Sequence, residues 1–113
     1  MVEFDFLPPS DTALVLEPEE MAQHLIKCLS HLDKGGSIQT LNLHNFIIRL
    51  KDSDYRDEEL LKKITEAWMW LEREGMLAPR PGQERQWVYV TERGHRLAGA
   101  TDLTVYTRSN IIP

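Results

Sequence analysis

The stretch EREGMLAPRPGQERQWVYVTERGHRL, residues 72–97, limits the folds open to this chain more than any other. A helical pattern ends at Gly75 and is followed by the short apolar step Met76-Leu77-Ala78. Pro79, Pro81 and Gly82 then punctuate a polar tip, and residues 86–90, QWVYV, are rich in residues that favour extended backbone. In such a strand Trp87, Tyr89 and Thr91 share one face and Val88 and Val90 the other. Thr91 is placed to cap a new helix from Glu92. The stretch therefore predicts a two-stranded hairpin with a helix at each end.

Upstream, the periodicity predicts three helices. Over residues 18–33, Met21, Leu25, Cys28, Leu29 and Leu32 recur on one face. Pro18 suits the first helical position, Glu19 and Glu20 suit its positive end, and Gly35-Gly36 stops it. Ser37-Ile38-Gln39 is expected as a very short strand. Leu43, Phe46, Ile47 and Leu50 mark a second helix with Thr40 or Asn42 as N-cap. KDSDYRD reads as a polar connection. A third helix over 57–74 carries a core stripe of Leu60, Leu61, Ile64, Ala67, Trp68 and Leu71, which Met69 and Trp70 are expected to broaden. The expected architecture is α+β and mostly helical, a winged helix-turn-helix with a two-stranded wing and an additional C-terminal helix. Residues 1–16, with Pro8-Pro9 between FDFL and LVL, read as an arm with two equal expectations: its apolar residues dock on the body, or its first few positions are disordered. Residues 17–100 form the domain, and 101–113 a short helix and connector.

Length and composition agree with one compact domain: 113 residues, 42% hydrophobic and 27% charged. The single cysteine, Cys28, excludes an intrachain disulfide and reads as a small buried hydrophobe. No apolar run reaches membrane-spanning length, and the acidic start MVEFDFLPPS lacks the basic opening of a secretory signal, so the expected location is cytoplasmic. The net charge of −5 argues against a general nucleic-acid binder. The charge is uneven, however. Residues 1–20 hold six acids and no Lys or Arg, whereas residues 21–113 hold 13 bases against 12 acids. From Gly75 onward five arginines face three acids.

The wing side offers candidate phosphate contacts: Arg80 and Arg85 flank the tip, Arg93 and Arg96 follow the return strand, and Lys62 and Lys63 lie on the third helix. Against them, residues 57–74 carry six acids and three bases, with Asp57-Glu58-Glu59 at the end that usually enters a major groove. Those acids also suit the helix macrodipole. Trp68 and Trp70 project about 200° apart on a helix, so one belongs to the core. Trp70 is therefore a candidate partner contact, unless it packs internally against Trp87 or Phe46. Ile111 and Ile112 are further partner candidates. His24, His31, His44 and His95 lack metal-ligand spacing and read as surface or half-buried side chains. A nucleophile elbow, a phosphate-binding glycine loop and paired carboxylates with a placed base are all missing. The expectation is a non-enzyme with no cofactor, no metal, no membrane contact and no evident small-molecule ligand.

The run ITEAWMWLEREGMLAPRPGQERQWVYVTERGHRLA, carrying Trp68, Trp70, Leu71, Glu72, Gly75, Leu77, Ala78, Val90, Thr91, Gly94 and Leu97, resembles the N-terminal domain of Ymh-type hypothetical proteins of bacteria. The tail DLTVYTRSNIIP resembles the connector before their C-terminal domain. The resemblance covers roughly the second half of the chain and implies a winged helix. Longer members continue into a helical domain sometimes grouped with defence-related domains that can carry RNase activity. Pro113 stands where that domain would begin, so the chain reads as an N-terminal domain or a piece of a longer protein, and that activity does not carry over. Two functions stay open: a module contacting a protein partner, a second copy or a C-terminal domain, and a winged helix that binds duplex DNA through its wing arginines.

Overall fold

The computed structural model describes residues 5–100, so the expected helix over 101–113, with Ile111 and Ile112, lies outside the described residues. The chain is α+β and mostly helical, with one two-stranded antiparallel sheet, compatible with the expected architecture. In order it forms a short α1 (Ser10–Ala13), α2 (Pro18–Lys34), α3 (Leu43–Leu50), α4 (Glu58–Arg73), β1 (Leu77–Pro79), β2 (Val88–Val90) and α5 (Glu92–Ala98).

Helix α2 is the centre of the molecule and packs chiefly on α4 and α5. It buries Met21, Ala22, Leu25, Ile26, Cys28, Leu29, Ser30 and Leu32, a stripe wide enough to face two neighbours. At its start Pro18 occupies the first turn, and the backbone N–H of Glu17 donates to Glu20 Oε1 at 2.8 Å. At its end Ser37 N–H donates to Leu32 O (2.9 Å) and Gly36 N–H to Asp33 O (3.1 Å), a Schellman closure. The same closure ends α4, with Met76 N–H on Leu71 O at 2.8 Å and Gly75 N–H on Glu72 O at 3.2 Å. Gly75 there has φ +77°, a conformation that costs side-chain-bearing residues dearly.

The strand expected at Ser37-Ile38-Gln39 is instead a 3₁₀ turn, Ile38–Thr40, held by Thr40 Oγ1 donating to Ser37 O at 2.8 Å. Its physical reason is the reversal just before it: Ser37 N–H is committed to Leu32, and the chain must coil once more before it can straighten. Extended pairing begins later, where Val88 N–H donates to Leu41 O at 3.0 Å and Asn42 bridges Trp87. Asn42 is also the cap of α3, its Oδ1 accepting from Asn45 N–H at 3.1 Å. β1 and β2 pair in the register Leu77↔Val90, Ala78↔Tyr89 and Pro79↔Val88. Pro79, without an N–H, ends β1. Val88 and Val90 face the core, while Trp87 and Tyr89 are half-buried.

The connection after α3 is not uniformly polar. Tyr55 is only 5% exposed, and its hydroxyl donates to Pro8 O. Burial pushes its phenol pKa up to about 12. With Leu7 and Ala13 also buried, and Lys63 Nζ donating to Leu16 O at 2.8 Å, residues 5–16 are seated on the body. Trp68 lies in the core, 5.7 Å from the Phe46 ring, and Trp70 is half-buried against the same core. Among the described residues no helix is long and apolar enough to cross a membrane.

Candidate interaction surface

The burial of Leu60, Ile64, Ala67, Trp68 and Leu71 turns the opposite side of α4 outward. That outer side presents Glu58, Glu59, Lys62, Glu66, Met69, Glu72 and Arg73. Lys62 Nζ lies 3.5 Å from Glu58 Oε2 and 3.6 Å from Glu59 Oε1. Glu59, then Glu58, raises the pKa of its ammonium. Exposed pairs of this kind add little stability, but they do neutralise the cation locally. Met69, expected to broaden the core stripe, is instead 55% exposed, because its helical position falls on the side opposite Ile64, Ala67 and Leu71, and it stands among these charges as the apolar element of the surface.

The remaining basic candidates point to different elements. Lys63 is turned toward the arm at Leu16. Arg80 folds back from the hairpin to α2, its guanidinium 3.5 Å from Asp33 Oδ1. Arg93 lies 4.0 Å from Glu74 Oε1 at the end of α4. Arg85 and Arg96 are exposed. Arg85 shares a concave surface with Leu43, Trp68, Glu72 and Gln86, so it lies beside the last turn of α4. Ten residues of helix, about 15 Å, separate that point from Lys62.

A half-buried polar junction lies elsewhere, and no local sequence pattern reveals its partners. Ser30 Oγ is 2.6 Å from His95 Nδ1, and His95 Nε2 is 3.2 Å from Asp33 Oδ2. The same carboxylate oxygen accepts from Val90 N–H at 3.3 Å. With Arg80 on Oδ1, Asp33 ties α2 to the hairpin and to α5. An ionised carboxylate accepts from Nε2–H, which leaves Nδ1 to accept from the Ser30 hydroxyl. Ser30 is 4% exposed in the middle of α2, where the N–H groups of neighbouring turns bond within the helix. The trio therefore acts as a strut between helices. Its members are 62 and 65 residues apart in sequence. The one available hint is Asp33 itself, an acid in the last turn of a helix, where the macrodipole disfavours it unless a donor waits nearby. Among the described residues no three His, Cys, Asp or Glu side chains group as a metal site. Compared with known protein families, curated proteins and solved structures, the chain matches none.

Proposed function

We propose that this chain is a winged-helix module that makes protein contacts, to a partner, a second copy or an adjoining domain, through the outer side of α4, and that it carries no catalysis. The observation behind this reading is the charge of that side: Glu58, Glu59, Glu66 and Glu72 surround Lys62, Arg73 and the exposed Met69. A helix that meets phosphates gains by counterion release from cations, and this one would bring four carboxylates with two cations. Its one large apolar side chain in a polar ring fits the anatomy of a protein interface. The resemblance of the second half to the N-terminal domain of Ymh-type proteins agrees with a module that works beside other domains.

The alternative, duplex-DNA binding, draws on the order of elements and on the exposed Arg85 and Arg96. One experiment separates the two. Fluorescence anisotropy with random-sequence duplex DNA at low salt, where electrostatic attraction is strongest, is expected to show no binding. In parallel, affinity capture is expected to retain a protein that Met69→Asp releases without loss of folding. Duplex binding that weakens steeply with salt would overturn the protein-contact reading in favour of the DNA one.

A further inference from the structure

A concavity of about 400 Å³ lies between α2 and α5, away from the outer side of α4. Helix α2 contributes Lys27, Ser30, His31 and Lys34, and α5 adds His95 and Ala98. The four α2 residues are spaced i, i+3, i+4 and i+7, so the helix itself brings them to one face. Every titratable side chain lining this concavity is basic, in a chain whose net charge is −5. Neither lysine has a carboxylate three or four residues away: Gln23, His24, Ser30 and His31 flank Lys27, and Ser30, His31, Ser37 and Ile38 flank Lys34. Among the described residues neither takes part in an ion pair. Lys27 and Lys34 stand two turns apart on this face, and of the two only Lys34, in the last turn of α2, gains from the helix macrodipole.

The third wall is apolar. Phe6, from the arm, lies with its ring centroid 5.5 Å from that of His31, tilted by 51°, and stays 39% exposed where it lines the concavity. His95 is held in place by Ser30 on one ring nitrogen and Asp33 on the other. Both of its nitrogens are thus occupied, and it forms a fixed wall. The free donors are the two ammonium groups and the His31 imidazole.

We infer that this concavity binds a small organic anion with a flat apolar body: Lys27, Lys34 and His31 receive its acid group, and Phe6 and Ala98 receive its body. A carboxylate and a phosphate monoester share the chemistry that this donor set recognises, since both accept several charge-assisted hydrogen bonds. The lysine stems are long and flexible enough for the two ammonium groups, about 10 Å apart along the helix axis, to converge on one acid group.

The test is an NMR titration of the whole chain with phenyl phosphate, benzoate, inorganic phosphate and, as the neutral control, benzyl alcohol. The expected result is a saturable shift of the His31 and Phe6 ring signals with phenyl phosphate or benzoate. The tighter of the two identifies the acid group. The Lys27→Gln, Lys34→Gln double variant is expected to weaken that binding about tenfold or more while melting at the wild-type temperature, and Lys51→Gln to leave it unchanged. The single variants replace the double one if it unfolds, each with a smaller loss in the same direction. Absence of saturable shifts, equal binding of benzyl alcohol, or undiminished affinity in the folded lysine variants would overturn the site. Inorganic phosphate binding as tightly as phenyl phosphate would overturn the role of Phe6.

Discussion

At the scale of single residues, Tyr55 gives the most direct handle on how the arm is held. Its hydroxyl donates to Pro8 O from a buried position. Its pKa in the folded chain is pushed up to about 12 from 10.0. A raised pKa means that the folded state prefers the neutral phenol. The contribution is fully present below pH 10 and is lost as the pH climbs toward 12. Urea unfolding followed across that window is expected to show stability falling more steeply for the wild type than for Tyr55→Phe. At neutral pH the same variant is expected to lose about 1 kcal/mol with the hydrogen bond. Parallel pH profiles would mean that the phenol is not buried against Pro8. None of this is legible in KDSDYRD, because a lone aromatic among charged residues carries no periodicity, and its partner lies 47 positions earlier.

At the scale of elements, α4 is the piece on which both the core and the outer surface depend. Leu71 is fully buried on its inner stripe and also supplies the carbonyl that Met76 N–H closes on. Leu71→Ala is expected to cost ~2–5 kcal/mol, measured by chemical denaturation. A negligible loss would show that the stripe does not pack on α2. The long helices were legible because their apolar residues repeat at helical spacing and their ends carry Pro18, Gly35-Gly36 and Gly75. The caps at Asn42 and Thr91 were legible for the same local reason, and both accept from the backbone N–H three residues on. The segment after α2 was misread because Ser37-Ile38-Gln39 has no strong pattern of its own. Its 3₁₀ turn follows from the hydrogen bonds of the helix end before it, while the pairing partner of Leu41 and Asn42 lies at Trp87 and Val88. The outer side of α4 was half legible: its acids could be counted, but the retraction of Arg80 to Asp33 and of Lys63 to Leu16 depends on contacts far along the chain.

At the scale of the whole molecule, Asp33 joins pieces that the chain visits at widely separated times. Its carboxylate meets Arg80 at the end of β1, Val90 in β2 and His95 in α5. Asp33→Ala is expected to destabilise the fold by ~1–3 kcal/mol, since it leaves donors behind without their acceptor. It is also expected to speed hydrogen exchange at Val90 more than in the middle of α2. Uniform protection in the variant would show that the hairpin and α5 do not lean on this group. The overall charge is organised at the same scale. Acids gather on the outer side of α4 and in the arm, while the titratable residues that line the concavity between α2 and α5 are all bases. A net charge of −5 conceals that division, which appears only once the helices are packed.

The end of α4 also has a mechanical consequence. Met76 O accepts from Thr91 N–H at 3.0 Å, and Thr91 Oγ1 donates to Gly75 O at 2.7 Å while accepting from Gly94 N–H. Gly94 presses so close that an added Cβ would stand 2.4 Å from Met76 O. Three segments are thus bolted together at one joint. The hairpin stands on it like a post on a footing, with an exposed tip over residues 81–86. Lengthening that tip strains nothing below it, because loop-closure entropy rises only slowly with length. Thickening the joint by one methyl at Gly94 would tilt the whole post.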